Sequence, residues 1–295
     1  MKETKMGPVK SSLKAYLDAK SKPNRLIGDL ERHLQKRPVG DRSTTVLHPS
    51  EIIKTDFCER ASWFLLSGTK KVAEKPNLRL QSIFDEGHAI HAKWQKWFQE
   101  MGILHGKFKC EVCDHITWGT SPSECEVCQA PVSKLIYDEV TLFDDALRIK
   151  GHTDGWIKDK TGDALIEIKS IGPGTLRNEA PSLMAEADGD FMKAWKLVRK
   201  PFGPHILQGQ VYMELMHRMG NPVEEIVFLY ELKADQDYKE FVVKRNPDLI
   251  EHIFAKAERI VKAVENKLEP KCNNNPGGTC KQCQPYEVED EDVIA

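Results

Sequence analysis

Asp154, Glu167 and Lys169 are of the types, and at the spacing, needed to act on a phosphate. They stand in Gly151-His152-Thr153-Asp154-Gly155 and Leu165-Ile166-Glu167-Ile168-Lys169, two strand-like runs joined by the polar reversal Lys158-Asp159-Lys160-Thr161-Gly162-Asp163. Apolar and charged residues alternate in the second run, so Glu167 and Lys169 share one face of a strand. A reversal about Lys160 and Thr161 sets Asp154 directly opposite Glu167. A reversal one residue later moves the pairing by two and keeps Asp154 on the same face. Opposed side chains have Cβ atoms about 4.5–5.5 Å apart. Two carboxylates that close repel unless they share a cation or one holds a proton. Mg²⁺ or Mn²⁺, which prefer oxygen ligands, resolve the repulsion. Lys169 then stands where it can orient an attacking water or offset charge on a phosphorane-like transition state. The same residues also suit a surface hairpin with an ordinary carboxylate–lysine pair, so the rest of the chain has to decide.

Cysteine is the second chemical signal. Cys110-Glu111-Val112-Cys113 and Cys125-Glu126-Val127-Cys128 are separated by an eleven-residue polar span. Two such pairs point to a structural four-thiolate zinc ribbon over 106–132. A segment this short has no core of its own, and zinc would supply about 10–16 kcal/mol of folding energy, as in zinc-finger peptides. Four thiolates leave no open position for a substrate, so the ribbon is structural or a binding platform. Cys58 stands alone beside aromatic residues and by itself reads as a buried thiol. Cys272, Cys280 and Cys283 cluster late in the chain.

Other candidates are single side chains on expected helices. His88 and His91 lie one turn apart, and packing explains each as well as metal binding does; Ala89 excludes the His-Glu-x-x-His zinc-protease pattern. Gln208 and Tyr212, four residues apart, share a helix face. Glu139, on the strand before the hairpin, is a weaker candidate for a metal shell, and His152 could also lie near the site.

The elements that must position these residues follow from the hydrophobic pattern. Two weak helical patterns, around Leu13–Leu17 and Leu26–Leu34, form a basic arm over 1–46. A helix capped by Ser50 runs from Pro49 through Cys58 to Leu66. Residues 78–100 form an amphipathic helix with Ile83, Phe84, Ile90, Trp94, Trp97 and Phe98 on one face. A strand covers Leu135–Leu142 and the chain continues through Leu147-Arg148-Ile149 into the hairpin. A Gly/Pro-containing segment and a short helix near Asp190–Arg199 follow, as a lid, a DNA-guiding element or a linker. Then come a helix over His205–Met216, strands at Ile226–Leu232 and Tyr238–Val243, and a helix from Pro247 to about Leu268. This order implies an α/β fold with a mixed central sheet flanked by helices.

The sequence has 295 residues, 40% hydrophobic and 30% charged, with a formal net charge of −2. That suits one large domain with an insertion, or two domains. No run of 18 apolar residues occurs and no apolar region follows Met1-Lys2-Glu3-Thr4-Lys5, so a soluble, cytoplasmic or otherwise intracellular protein is expected. In a reducing compartment the eight cysteines serve metals rather than disulfides. The first 42 residues are basic and Glu287-Val288-Glu289-Asp290-Glu291-Asp292 is acidic, so near-neutrality overall does not exclude nucleic-acid binding. No Gly-x4-Gly-Lys-Ser/Thr loop marks an ATP-driven motor.

Taken together, the motifs resemble the RecB-like branch of the PD-(D/E)XK nuclease superfamily over residues 47–285, most closely its iron–sulfur exonucleases, such as the CRISPR-associated exonuclease and the AddB nuclease domain. Gly87-x-x-x-His91 is similar to the family's metal histidine motif and Gly151-x-x-Asp154 to its metal aspartate. Glu167-x-Lys169 resembles its acidic–lysine pair, and Gln208-x-x-x-Tyr212 its final helix motif. The resemblance implies a restriction-endonuclease-like core in which His91, Asp154, Glu167 and the backbone carbonyl of Ile168 hold Mg²⁺ or Mn²⁺, with one ion or two about 3.5–4 Å apart. Gln208 and Tyr212 would fix a phosphate or base. Cys58 resembles the family's first cluster cysteine, which makes Cys272, Cys280 and Cys283 its partners around a 4Fe–4S cluster. Their Cys-x7-Cys-x2-Cys order departs from the usual Cys-x2-Cys-x5-Cys, and a four-cysteine Zn²⁺ site is the alternative. The ribbon is an addition to the family's minimal pattern, and residues 286–295 form an acidic tail.

The implied activity is metal-dependent hydrolysis of DNA, by an exonuclease on single-stranded or end-opened substrate in repair, recombination, replication or phage DNA processing. A helicase, recombinase or single-strand-binding partner would open the ends. A non-cutting nucleic-acid adaptor, a structure-selective endonuclease and an RNA-directed nuclease are the competing readings.

Overall fold

The computed structural model describes residues 26–37, 45–69 and 75–286. The pattern around Leu13–Leu17, most of the basic arm and the acidic tail lie outside them. By its contacts the chain divides into two units, residues 1–40 with 73–83 and residues 41–72 with 84–295. In the first unit, helix α1 (Ile27–Lys36) falls on the expected Leu26–Leu34 pattern. Lys75 Nζ donates to the carbonyls of Gln35 (2.5 Å) and Arg37 (2.9 Å), a cation on the carbonyls at a helix C-terminus.

In the second unit, the helix expected from Pro49 to Leu66 is two helices, α2 (Pro49–Ile52) and α3 (Glu59–Leu66). Ser50 is not a cap. Pro49 occupies the first turn, where its missing N–H costs nothing, and His48 is the extended N-cap. The second helix restarts at Cys58, whose Sγ accepts from Ala61 N–H at 3.4 Å. Thr55 and Asp56, which favour turns over helix interiors, lie between them.

Helix α4 (Leu78–Glu100) begins in the first unit and continues through the second. Its expected apolar face is only partly covered: Ile90 and Phe98 are buried, whereas Ile83, Phe84 and Trp97 are exposed. The strands follow as β1 (Leu104–Cys110), β2 (Ile116–Thr120), β3 (Leu135–Asp138), β4 (Val140–Asp144), β5 (Ile149–Thr153), β6 (Gly155–Asp159) and β7 (Gly162–Ile171). Three short helices come next, α5 (Pro173–Glu179), α6 (Pro181–Glu186) and α7 (Phe191–Leu197), the last capped by Asp190. Helix α8 (Gly203–Arg218), β8 (Glu225–Leu232), β9 (Tyr238–Lys244) and α9 (Pro247–Glu265) complete the order.

A seven-stranded mixed sheet runs β2-β1-β6-β7-β8-β9, with β3 also on β1; β4 and β5 form a separate two-stranded sheet. Among the described strands only β7 and β8 pair in parallel, as expected for strands joined by a helical crossover. The α/β class with a mixed central sheet and flanking helices is therefore the one the sequence implied. Strand β7 is buried on both faces: Ile166 and Ile168 pack in one core with Ile90 and Phe98 of α4, and Leu165 and Ile171 in the other with Val211 and Tyr212 of α8. No helix among the described residues is long and apolar enough to cross a membrane.

Two departures from the expected strands matter most. Leu135–Leu142 is not one strand but β3 and β4, broken at Glu139, and the first arm of the hairpin is β5 and β6, broken at Asp154. At each break the chain passes between the large sheet and the two-stranded one.

Candidate metal centres

Asp154 is positioned by both ladders at once. Gly155 pairs with Ile166 and Asp159 with Gly162, the register that a reversal about Lys160 and Thr161 dictates. One rung beyond Gly155–Ile166, Asp154 faces Glu167. In the other ladder Val140 pairs with Thr153, and one rung further Glu139 faces Asp154. Three carboxylates therefore converge on the two strand breaks. Gly151 permits a close approach here, because a Cβ on it would lie 2.8 Å from Pro49 and 3.0 Å from the Tyr212 ring.

Asp154 is buried and both its oxygens are engaged. Oδ2 accepts from the Ile168 N–H at 2.6 Å, and Oδ1 lies 3.2 Å from His91 Nδ1. His91, Glu139 and Asp154 each offer a ligand atom within 4.8 Å of the others, so this trio can hold a metal ion. Glu167 lies outside that trio, and its Oε1 accepts from Lys169 Nζ at 2.6 Å. Lys169 also donates to Gln208 Oε1 at 3.1 Å, and Gln208 Nε2 donates to the Tyr212 hydroxyl at 2.7 Å. The structure thus brings His91, Asp154, Glu167, Ile168, Lys169, Gln208 and Tyr212 into one neighbourhood and adds Glu139 to its centre. His88 and His152 are exposed instead.

The electrostatics are those of crowded acids. Burial, then the charge of Asp154, pushes the Glu167 carboxyl up to about 7. The same two causes raise Glu139. His91 is also raised: burial opposes its charge, and the hydrogen bond and charge of Asp154 outweigh burial. Lys169 is raised because Glu167 and Asp154 overcome its own desolvation. The site gathers three carboxyl groups around one imidazole and one ammonium.

Both cysteine sets are assembled. Cys110, Cys113, Cys125 and Cys128 form one group, with Cys110–Cys128 and Cys113–Cys125 Sγ separations of 3.6 Å. Backbone N–H groups of Cys128 and Val127 lower the Cys125 thiol to about 6, favouring the thiolate that binds metal. Cys58, Cys272, Cys280 and Cys283 form the second group, with Cys58–Cys272 at 3.9 Å and Cys280–Cys283 at 3.7 Å. Either group can bind a metal ion. Asn273 and Asn274 donate to the Phe57 and Asp56 carbonyls, and Gln282 accepts from Cys58 N–H, so the second group joins α3 to the chain beyond α9.

Three features of the site escaped sequence reasoning. Gln95, one turn beyond His91, donates through Nε2 to Glu139 Oε1 (3.1 Å) and to the Asp154 carbonyl (2.8 Å); the i, i+4 spacing was the available signal. Glu231, 2% exposed, receives Lys93 Nζ at 2.5 Å and Trp94 Nε1 at 2.6 Å, tying α4 to β8. His205 Nδ1 sits 2.5 Å from the Tyr230 hydroxyl, which accepts from the Phe202 N–H. Burial, then the charge of Lys169, lowers His205 to about 3.

No protein-family model matches the chain, and no curated protein matches it. Among solved structures it is similar to the crystal structure of an alkaline exonuclease from Laribacter hongkongensis, at 13% identity and a TM-score of 0.42, over 77% of this chain and 91% of that one. The same exonuclease in complex with dAMP matches at 16% identity and a TM-score of 0.40, with the same coverage. Overlap this loose carries no argument about chemistry, which has to come from this chain's own side chains.

Proposed function

We propose that the protein is a divalent-metal-dependent DNA nuclease with a PD-(D/E)XK-type site, of the RecB-like branch. The observation that carries the reading is Asp154 held between Glu139 and Glu167 at the meeting of two ladders, with His91 against Asp154 and Lys169 against Glu167.

The residues fit a hard cation. Glu167 Oε2 is buried and has no hydrogen-bond partner among the described residues. A cluster of carboxylate oxygens with one imidazole is the donor set that Mg²⁺ or Mn²⁺ takes. His91, Asp154, Glu139 and Glu167, with the Ile168 carbonyl, would hold the ion. Such an ion polarises a phosphodiester and makes water a nucleophile near neutral pH. Lys169 supplies the positive charge that meets charge developing on the phosphate. Gln208 accepts a second hydrogen bond from the Lys169 ammonium, and the Tyr212 hydroxyl accepts from Gln208. His91 is anchored through Nδ1 on Asp154, which sets the orientation of its ring.

The substrate in this reading is single-stranded or end-opened DNA, cut from an end. Zinc in the ribbon and a 4Fe–4S cluster at Cys58, Cys272, Cys280 and Cys283 complete the proposal, with zinc at the second group as the alternative. The test is digestion of end-labelled DNA in Mn²⁺ by the parent, Asp154→Ala and Lys169→Ala proteins. Both substitutions are expected to abolish cutting. DNA loss unchanged by either rejects the enzymatic reading in favour of an adaptor, and cleavage of circular DNA rejects a strict exonuclease.

A further inference from the structure

We propose that the groove between α4 and the strand returning from the ribbon holds an unpaired nucleobase beside the phosphate being cut. This rests on the nuclease reading above. The groove has a volume of about 400 Å³ and is lined by Gln95, Lys96 and Gln99 of α4 and by Val132, Ile136 and Tyr137 on the opposite wall. That size is within the range of small-molecule sites.

One residue links the groove to the candidate metal centre. Gln95 lines it and also donates to Glu139 Oε1 and to the Asp154 carbonyl. A group seated in the groove therefore meets the side chain that holds two of the site's acids in place.

The lining chemistry suits a base rather than a phosphate. Phosphates are held by cations and backbone N–H groups. The lysine here, Lys96, lies 3.8 Å from Glu100, whose carboxylate also lines the groove and opposes an anion there. Unpaired bases are held by flat or apolar contacts and by groups that both donate and accept. Val132 (41% exposed) and Ile136 (55% exposed) supply an open apolar wall, whereas the Tyr137 ring is packed against Phe108 at 5.4 Å. Gln95 and Gln99 supply carboxamides, the side-chain type that reads base edges. Gln99 reaches across to the Leu135 carbonyl at a long 3.3 Å, a bond weak enough to exchange for a ligand. The segment that leaves the second cysteine pair thus forms one wall of the substrate site, which gives the ribbon a binding role beyond stapling itself.

The experiment uses single-stranded oligonucleotides carrying one abasic residue at successive positions around the cut, in Mn²⁺, with the full-length parent, Ile136→Asp and Gln99→Ala. In the parent, one abasic position is expected to raise KM about tenfold, the scale of one lost base contact. Each variant is expected to raise KM on the intact strand and to lose sensitivity to that same position. Equal KM for intact and abasic strands in the parent, or penalties that simply add in both variants, overturns the subsite and leaves the nuclease standing. No cleavage of intact DNA by the parent overturns the nuclease reading and the subsite with it.

Discussion

Asp154→Asn is expected to stabilise the metal-free protein while removing its response to metal. The reasoning is electrostatic. Glu167 is 3% exposed, and its carboxyl is pushed from 4.5 to about 7, which corresponds to about 3 kcal/mol against ionisation at pH 8. Burial is the larger cause and the Asp154 charge the second, so neutralising Asp154 recovers a part, about 1 kcal/mol. The amide keeps the geometry: its oxygen can still accept from Ile168 N–H, and its NH₂ can donate to His91 Nδ1 once the ring is neutral. For the sign, a carboxyl with a raised folded pKa contributes stability while protonated, below 4.5, and loses it as pH rises through about 7. The advantage of the variant should therefore be small at pH 4.5 and complete by pH 8. Guanidinium unfolding at pH 8, in buffer stripped over a chelating resin and again with Mn²⁺, measures both effects. The parent gains about 2.7 kcal/mol when Mn²⁺ reaches a hundred times its dissociation constant; the variant gains little, and the order of stability reverses. A variant less stable than its parent without metal, or one that gains as much from Mn²⁺, refutes the reasoning.

Gly209→Ala places a Cβ 2.8 Å from Phe228 Cζ and 3.1 Å from Ile226 Cδ1, so overpacking should outweigh the helix gain and cost about 1–3 kcal/mol in thermal unfolding. His205, lowered to about 3 by burial and Lys169, contributes stability present above 6.5 and lost as pH falls through the window down to 3. Stability of the parent should fall by up to about 1.4 kcal/mol per pH unit between pH 6 and 4 from this group, and His205→Asn should flatten that limb in urea unfolding. Cys58→Ser should remove one metal centre and leave the ribbon zinc, read by metal analysis of the same sample. Anaerobically purified parent protein should be brown and bleach with that substitution; a colourless parent with two zinc ions per chain rejects the iron–sulfur assignment.

The hairpin was legible because its information is local: six polar residues fix the turn, and a turn fixes a register. The helices carrying His91 and Gln208 were legible through their apolar spacing. The place of Glu139 was not, because it depends on a strand break that the apolar alternation of Leu135–Leu142 conceals. Sequence periodicity reports that residues prefer extended backbone; it does not report which sheet they extend into. The choice is made by partners far along the chain, β1 for Leu135–Asp138 and β5 for Val140–Asp144. The split of the helix expected from Pro49 to Leu66 falls at the turn-favouring Thr55 and Asp56, and the second helix then begins at Cys58, 3.9 Å from Cys272.

Those breaks are what bring the acids together. Within an unbroken antiparallel ladder, Asp154 would have one opposite residue on each side and its face would be that of the sheet. By leaving one sheet at Thr153 and entering another at Gly155, the chain frees Asp154 from backbone pairing in either ladder while keeping it one rung from both. Glu139 makes the same crossing in the opposite direction between Asp138 and Val140. The two acids are then set by four strands rather than two, and Gln95 of α4 closes the gap between them. A charge cluster that raises the pKa of Glu167 and Glu139 works against folding, and it is retained here at a point where the backbone has been opened to admit it. That is the physical reason for reading the cluster as a metal centre rather than as an accident of packing.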